Sequence, residues 1–399
     1  MDKLIYLDNA ATTQTAPEVL DAMIPYFTEY YGNPSAVYSF AGEAKKAVEN
    51  ARRTLAAGIG AKPEEIYFTG GGSESDNWAL KASAEAYAAK GKHIITTKIE
   101  HHAILHTAEY LEKSGFEVTY LEVDENGFVS PEAVEAAIRP GTILISVMMA
   151  NNEIGTVEPV QEIGAVARKH GILFHTDAVQ AFGHLPIDVE AMNIDLLSAS
   201  AHKLNGPKGV GFLYIRQGLK LRAFLHGGAQ ERRRRAGTHN TPGIVGFGKA
   251  AEMALQSMER RTAYETELRD YLIGRVLTEI PYTRLNGDRE KRLPGNASFC
   301  FRFIEGESLL ILLDQSGICA SSGSACTSGS LDPSHVLLAI GLPHETAHGS
   351  LRISLSGKTT REEIDFTVDR IKEIVERLRN MSPLYEDFVK KSAGENREV

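Results

Sequence analysis

Short apolar runs alternate with helical patterns through the middle of the chain. The run Ile143-Leu144-Ile145-Ser146-Val147-Met148 is typical of a strand that is buried on both faces of a sheet. Seven strands are predicted: Glu65–Thr69, His93–Thr97, Glu117–Glu122, Thr142–Met149, Ile172–Thr176, Leu196–Ser200 and Val210–Ile215. Helices are predicted between them: Glu43–Leu55, Asp76–Ala89, Pro131–Ile138 and Val160–His170. The alternation predicts an α/β fold around a mostly parallel seven-stranded sheet.

The pattern changes near residue 260, where a long amphipathic helix is predicted over Glu259–Val276. In Thr360–Arg379 apolar residues recur every three or four positions, which predicts a helix with one buried face. Thr360 and Glu363 fit a capping box at the start of that helix. Two strands and one more helix are predicted in this part of the chain: Asn296–Phe303, Ser350–Leu355 and Ser308–Gln315.

These patterns suggest two domains, and the 399 residues are enough for both. We expect a large α/β domain over residues 13–260. Residues 1–12 and 261–399 are expected to form a smaller α+β domain.

Composition and charge exclude several classes of protein. Hydrophobic residues make up 43% of the chain and charged residues 24%, which excludes a largely disordered or collagen-like chain. The net charge of −9 argues against sequence-independent nucleic-acid binding, so the short basic run Arg232–Arg235 is better interpreted as a salt-bridged or anion-binding loop. No apolar stretch approaches 18 residues, so we expect no membrane span. The start of the chain has no secretory pattern, and three cysteines suit a reducing compartment, so a cytoplasmic protein is expected.

A lysine directly after a predicted strand is the first candidate for chemistry. Lys203 ends the segment Ser198-Ala199-Ser200-Ala201-His202-Lys203, and a glycine-rich stretch follows it. Ligands of open α/β sheets bind at this edge, and a desolvated lysine there can form a Schiff base. Taken alone, a surface lysine is the simpler interpretation.

Polar residues also follow other predicted strands. Asp177 could hold the protonated ring nitrogen of pyridoxal phosphate, with Gln180 within reach of the same ligand, although an aspartate there could equally cap a helix. Gly70-Gly71-Gly72-Ser73 could seat a phosphate on a helix N-terminus, or form a simple turn. His101 could stack on an aromatic cofactor. A metal site is not expected there, because adjacent histidines lack the spacing of zinc-binding helices.

The candidates converge on one sheet edge, and this convergence is more specific than any single piece. The residues predicted at successive strand ends are Gly72, Ser73, His101, Asn151, Asp177, Gln180, Ser200, His202 and Lys203.

The three cysteines have different surroundings. Cys300 and Cys319 have apolar neighbours, so we expect both in the core. Cys326 lies among glycine and serine residues in a loop at about 320–332. This setting favours an accessible and reactive thiol over an exposed linker cysteine.

These segments together resemble the cysteine desulfurases, the NifS/IscS-like members of the fold-type I pyridoxal-phosphate enzymes in the class-V aminotransferase family. The resemblance runs from Tyr6-Leu7-Asp8-Asn9-Ala10-Ala11-Thr12-Thr13 to Arg352, which is nearly the whole chain. Three segments are the most specific: one that ends at Lys203, one that ends at Gln180 and one that surrounds Cys326.

The resemblance implies where a cofactor would be held. Lys203 would hold pyridoxal phosphate and move protons at the substrate Cα, Asp177 would pair with the pyridine nitrogen, and Gln180 would contact the ring oxygen. His101 would stack on the ring and act in acid–base steps. The phosphate would be bound by Gly72, Ser73, Ser200 and His202, and by Thr238 from the neighbouring subunit of a homodimer with shared sites.

The resemblance also implies the reaction. Arg352 would clamp the substrate carboxylate together with Asn151, which would also lie against the cofactor. Cys326 would take the sulfur of L-cysteine as a persulfide and leave L-alanine. The isolated enzyme would hold no metal, although Cys326 could transiently ligate an iron–sulfur cluster.

Several features bear on the branch and the partner. The segment from Gln230 to Thr238 looks closest to NifS, whereas the tail from Met381 is similar to IscS-type chains, whose C-terminal region meets the iron–sulfur scaffold protein. The implied partner is that scaffold or another sulfur acceptor. Ser73, Tyr38 and His239 depart from the residues common in the family. The alternatives are selenocysteine lyase, another aminotransferase-like reaction, and a non-catalytic assembly subunit.

Overall fold

The computed structural model describes residues 4–322 and 333–395. Its strands are β1 (Ile5–Tyr6), β2 (Ile66–Thr69), β3 (His93–Thr97), β4 (Glu117–Leu121), β5 (Thr142–Ser146), β6 (Leu173–Asp177), β7 (Leu196–Ser200), β8 (Gly211–Ile215), β9 (Thr283–Asn286), β10 (Asn296–Phe301), β11 (Ile318–Cys319) and β12 (Ser350–Ser354). Its α-helices are α1 (Pro17–Met23), α2 (Pro25–Thr28), α3 (Gly42–Ala57), α4 (Gly72–Tyr87), α5 (His102–Lys113), α6 (Pro131–Ala137), α7 (Val160–His170), α8 (Gln230–Arg233), α9 (Thr241–Glu279), α10 (Gly306–Gln315), α11 (His335–Ala339), α12 (His344–His348), α13 (Arg361–Asn380) and α14 (Pro383–Glu395).

The central sheet has seven strands in the order β2-β8-β7-β6-β5-β3-β4. Strand β8 runs antiparallel to both neighbours, and the other pairs are parallel. The predicted α/β class and mostly parallel sheet are therefore confirmed. Every residue of β2, β3, β6, β7 and β8 is buried, as the continuous apolar runs predict for a sheet covered on both faces.

Helices cover both faces of this sheet and enclose two apolar clusters. One cluster includes Phe174, Phe182, Phe212 and Phe247, and the other is built around Trp78. Since β6 and β7 are central strands, residues at their carboxyl ends meet in the middle of one sheet edge.

A three-stranded antiparallel sheet, β12-β10-β9, has its own apolar cluster, to which α9, α10 and α13 contribute. The short strand β1, near the start of the chain, pairs with β11. Thr360 caps α13 in the predicted capping box. The expected domain boundary at residue 260 falls inside α9, and the division into two domains stays a prediction.

Helix α9 is much longer than predicted, with 39 residues instead of the Glu259–Val276 segment. Its first half is rich in glycine, which disfavours a helix in isolation. Tertiary packing explains the difference. A Cβ added to Gly246 would lie 2.6 Å from Met23 Sδ, and one added to Gly248 would lie 2.7 Å from Ala51 Cβ. These glycines therefore let neighbouring helices approach α9 closely.

Cys300 is buried as predicted, and burial raises the pKa of its thiol to about 11. The prediction for Cys319 is only partly right, because Cys319, which lies in β11, is partly exposed. Within the described ranges, no helix is long and apolar enough to cross a membrane.

Candidate active site

A cavity at the carboxyl ends of β6 and β7 collects most of the predicted site residues. It is lined by Ala10, Ala11, Gly72, Ser73, Asp76, His101, Met148, Ala150, Asn152, Asp177, Val179, Gln180, Ser200, His202, Lys203 and Arg352. Nine of the predicted residues are in this lining: Gly72, Ser73, His101, Asp177, Gln180, Ser200, His202, Lys203 and Arg352. The structure therefore brings together residues that are up to 280 positions apart in the sequence (72 to 352).

Lys203 ends a short 3-10 turn, Ala201–Lys203, directly after β7. Its Nζ donates hydrogen bonds to the backbone oxygens of Ala10 and Ala11, at 2.6 and 2.8 Å. Gln180 Nε2 also donates to the Ala10 oxygen, at 2.9 Å. The segment after β1 thus holds the amine at the cavity wall.

Asp177 is the last residue of β6 and is buried. Its Oδ1 accepts the backbone N–H of Val179 at 2.9 Å. Burial raises the pKa of Asp177 to about 6, although the N–H of Val179 and the charge of Lys203 oppose this. A cation placed against this carboxyl would therefore keep it ionised.

Asp76 lies in the first turns of α4 and faces the same cavity. Burial and the nearby Asp177 raise its pKa well above the usual range, so we assign the negative charge of this pair to Asp177. His175, two residues before Asp177 on β6, lies between Ser146 Oγ at 2.9 Å and Ser198 Oγ at 3.1 Å. Burial lowers the pKa of His175 to about 3, which keeps that ring neutral.

His101 caps α5, and its Nδ1 accepts the backbone N–H of Ala103 at 3.1 Å. Burial, and then the charge of Lys203, lower the pKa of His101 to about 4. The imidazole is therefore neutral, and because Nδ1 accepts, its proton is on Nε2. A neutral ring of this kind can stack on an aromatic ligand and exchange a proton through Nε2.

The N-terminus of α4, where Gly72 and Ser73 line the cavity, suits a phosphate. Helix α4 begins at Gly72, and Gly71 at its N-cap has no side chain to cap the first N–H groups. A Cβ added to Gly72 would lie 2.6 Å from Val179 Cγ2, so only glycine fits there. Free N–H groups at a helix N-terminus, beside the hydroxyls of Ser73 and Ser200, form an anion-binding seat.

Arg352 lies on β12 and reaches the cavity from the three-stranded sheet. Its Nη2 donates to Asp8 Oδ1 at 2.9 Å, and its Nη1 donates to the Asn152 backbone oxygen at 3.1 Å. The Arg352 side chain is only 3% exposed, and among the residues that the structure describes its Nε has no hydrogen-bond partner. A buried orphan donor on a cavity wall suits a carboxylate, which would satisfy it.

Three predicted residues are not in the lining. The side chain of Asn151 is buried and bonds the backbone of Ile99, Glu153 and Ile154, so it shapes the turn rather than facing the cavity. Thr238 is exposed on this chain. Cys326, with most of its predicted loop, lies outside the described residues.

The basic run forms a set of contacts, as its interpretation as a salt-bridged loop expects. Arg235 pairs with Glu74 at 2.8 Å, and the guanidinium groups of Arg232 and Arg234 lie over the ring of Tyr67. Among the residues the structure describes, no group of three or more His, Cys, Asp or Glu side chains has a metal-binding arrangement.

Sequence reasoning missed Asp8, Asp76 and the two carbonyls that hold Lys203. Asp8 is separated from Arg352 by 344 positions, so no local pattern links them. The only signal for Asp8 was its presence in the segment Tyr6–Thr13 that carries the family resemblance.

Comparisons with known proteins show which family the chain is similar to. The profile of the family described as Aminotransferase class-V matches residues 5–366. A protein of Clostridium botulinum named cysteine desulfurase IscS is 58% identical over 392 residues, which are 98% of this chain and 99% of that protein. A solved structure titled NIFS-LIKE PROTEIN has a TM-score of 0.88 and 39% identity, and the match covers 94% of this chain and all of the other. Another, titled SspA in complex with cysteine, has a TM-score of 0.79 and 40% identity, over 89% of this chain and all of the other.

The chain belongs to the class-V aminotransferase family. Within that family it is a member of the NifS/IscS-like cysteine desulfurases.

Proposed function

We propose that this enzyme converts L-cysteine to L-alanine with pyridoxal phosphate as cofactor and passes the sulfur to Cys326 as a persulfide. The observation that supports this most directly is that Lys203, Asp177 and Arg352 line one cavity. A lysine amine, an acid and a guanidinium at one site are what a cofactor aldehyde, its ring nitrogen and an amino-acid carboxylate require.

The cavity residues fit pyridoxal phosphate. Lys203 would hold its aldehyde carbon and Asp177 its ring nitrogen, while the α4 N-terminus with Ser73, Ser200 and His202 would bind its phosphate. The N-terminus of α4 has no side-chain cap among the described residues, which supports the phosphate end. When bound here, this cofactor withdraws electrons from the substrate Cα and so opens the substrate sulfur to a thiolate.

The remaining steps belong to the chain itself. Arg352 would bind and orient the substrate carboxylate through its guanidinium, whose Nε has no partner within the described part of the chain. Lys203, whose side chain lines the cavity, would take the Cα proton at Nζ and return it. His101, neutral at physiological pH, holds or gives a proton at Nε2.

Cys326 takes the sulfur in this proposal. The described segments on both sides of Cys326 support this role. Before it, Ser321 pairs with Arg352 through two backbone hydrogen bonds of 2.6 and 3.2 Å. After it, Ser334 bonds the Glu153 carboxylate, and His335 Nε2 lies 3.0 Å from the Glu100 oxygen. The first segment is therefore paired with a lining residue, and the second is bonded to the sequence neighbours of the lining residues Asn152 and His101.

The proposed enzyme is a homodimer with shared sites. Thr238 is exposed on a single chain, which suits a residue that reaches the phosphate of a neighbouring subunit. Large apolar side chains near α1 and α2 are also exposed, with Phe27 at 60%, Tyr31 at 69% and Val37 fully so. An apolar patch of this kind supports a protein interface.

The sulfur would go to an iron–sulfur scaffold or another acceptor in the cytoplasm. Helix α14 supports the C-terminal surface as the docking site. Met381 and Leu384 are 71% and 56% exposed there, beside an aromatic cluster of Tyr282, Phe303 and Phe388. In that exchange Cys326 could transiently ligate an iron–sulfur cluster.

The test is alanine formation from L-cysteine by the purified protein loaded with pyridoxal phosphate, under a thiol reductant. We expect alanine and sulfide in equal amounts. Alanine without sulfide, or no alanine while selenocysteine is consumed, would replace the proposal with a different reaction of the same family.

A further inference from the structure

His184 connects the backbone of Lys203 to helix α9. Its Nε2 lies 3.2 Å from the Lys203 carbonyl oxygen, and its Nδ1 lies 3.0 Å from Arg261 Nη1. A carbonyl oxygen only accepts and a guanidinium only donates, so Nε2 carries the proton and Nδ1 is bare. Both contacts are possible together only for the neutral ring. Burial, and then the charge of Arg261, lower the pKa of His184 to about 4, in agreement with this tautomer.

Arg261 and Glu265 extend this connection. Arg261 Nη2 donates to the Gly183 backbone oxygen, and Nη1 lies 3.6 Å from Glu265 Oε1. Glu265 is buried and accepts the backbone N–H of Gly357. A Cβ added to Gly357 would lie 3.3 Å from Arg261 Cγ, so this glycine lets its segment pack directly on Arg261.

The segment at Gly357 directly follows β12, the strand that bears Arg352. The amine of Lys203 reaches the same strand by a second route. Its Nζ bonds the oxygens of Ala10 and Ala11, and the N–H of Ala10 donates to Ser354 Oγ at 2.8 Å. The backbone and the amine of the catalytic lysine are thus both tied to the end of the strand that would bind substrate.

We propose that His184, held by Arg261 and Glu265, is a positioning residue that fixes the backbone of Lys203 relative to the Arg352 strand. This inference rests on the function proposed above and adds a residue to its machinery. The Lys203 carbonyl ends a 3-10 turn. Without His184 this oxygen would lose its hydrogen bond and would contact water or nothing. The lysine would then lose its fixed alignment with the substrate Cα, on which proton transfer depends.

The test compares His184→Leu with His184→Gln in the holoenzyme. Leucine cannot bond either neighbour, whereas the glutamine amide can donate to the carbonyl and accept from Arg261. We expect kcat for alanine formation to fall about tenfold in H184L, with KM for L-cysteine within twofold, and to recover in H184Q. Arg261→Leu is expected to lower kcat in the same way and also to raise KM, because it releases the Gly357 segment. Arg260→Leu, an exposed charge loss at the neighbouring position, is the matched control and is expected to leave both unchanged.

Hydrogen exchange of the peptide that spans residues 201–206 provides a readout independent of activity. We expect faster exchange in H184L than in the wild type or H184Q, at equal melting temperature. Unchanged exchange and kcat in H184L, or a glutamine variant as impaired as the leucine variant, would overturn the proposal. If the wild type made no alanine, the proposed reaction would fail, while the exchange comparison would still decide the role of His184.

Discussion

Replacing Arg352 with lysine tests the substrate clamp while it keeps the positive charge. Arg352 is held by Asp8 on one side and the Asn152 carbonyl on the other. Among the described residues nothing pairs with its Nε, which leaves Nε and the adjacent N–H groups for a ligand. A carboxylate would accept two parallel hydrogen bonds from this edge. Lysine has a single nitrogen, which Asp8 would attract, so at least one of the two bonds is lost.

A hydrogen bond to a charged group contributes about 1.5–3 kcal/mol. Loss of one such bond is therefore expected to raise KM for L-cysteine about 10- to 100-fold, since each 1.4 kcal/mol is about tenfold in affinity. The assay measures alanine formation against L-cysteine concentration, together with equilibrium binding of L-alanine followed by cofactor absorbance. Arg377→Lys, on the exposed side of α13, is the matched control. A KM and an alanine affinity within twofold of the wild type would refute the clamp.

Three further predictions concern the cofactor and the stability of the chain. Lys203→Ala is expected to lose the visible absorbance of the bound cofactor, and its retention in the dialysed protein would show that another group holds it. Gly72→Ala is expected to weaken cofactor binding at least tenfold by equilibrium dialysis, because a Cβ would lie 2.6 Å from Val179 Cγ2, whereas the exposed Gly42→Ala should bind normally. Arg52→Met is expected to cost about 3–5 kcal/mol of unfolding free energy, because it leaves the buried Glu231 carboxylate without its bidentate partner. Burial raises the pKa of Glu231, but the bonds from His239 and Arg52 outweigh burial and hold the pKa at about 2, below its usual 4.5. The stability difference should therefore be full above pH 4.5 and shrink as the pH falls toward 2. Urea denaturation at pH 7 and pH 4 would show a constant difference if the reasoning were wrong.

The sheet was predictable because burial on both faces leaves a clear trace in the sequence. Strands β3 and β7 begin and end at the predicted residues, and helix α7 does too. Helix α5 was missed, because its polar start at His102 and His106 hides the apolar face formed by Ile104 and Leu111. The early part of α9 was missed because this glycine-containing stretch is stabilised as a helix by packing against neighbouring helices. A local sequence pattern does not contain that information.

The candidate site was predictable where it lies on strand ends. Asp177 and Lys203 directly follow buried runs, so their meeting at one edge follows from parallel pairing of β6 and β7. Contacts between distant segments were not predictable. The Asp8–Arg352 pair and the His184–Arg261 contact depend on how the two sheets and α9 pack, and Asn151 has the right residue type but directs its amide into the turn.

The central claim is that Cys326 takes the sulfur of L-cysteine as a persulfide. The most direct measurement incubates the wild type and Cys326→Ala with L-cysteine, quantifies alanine, and then measures the mass of the Cys326 peptide without reductant. We predict alanine from the wild type and a peptide heavier by one sulfur atom, with almost no alanine from the variant. Equal alanine from both proteins, or an unmodified Cys326 peptide in a wild type that turns over, would contradict the persulfide mechanism.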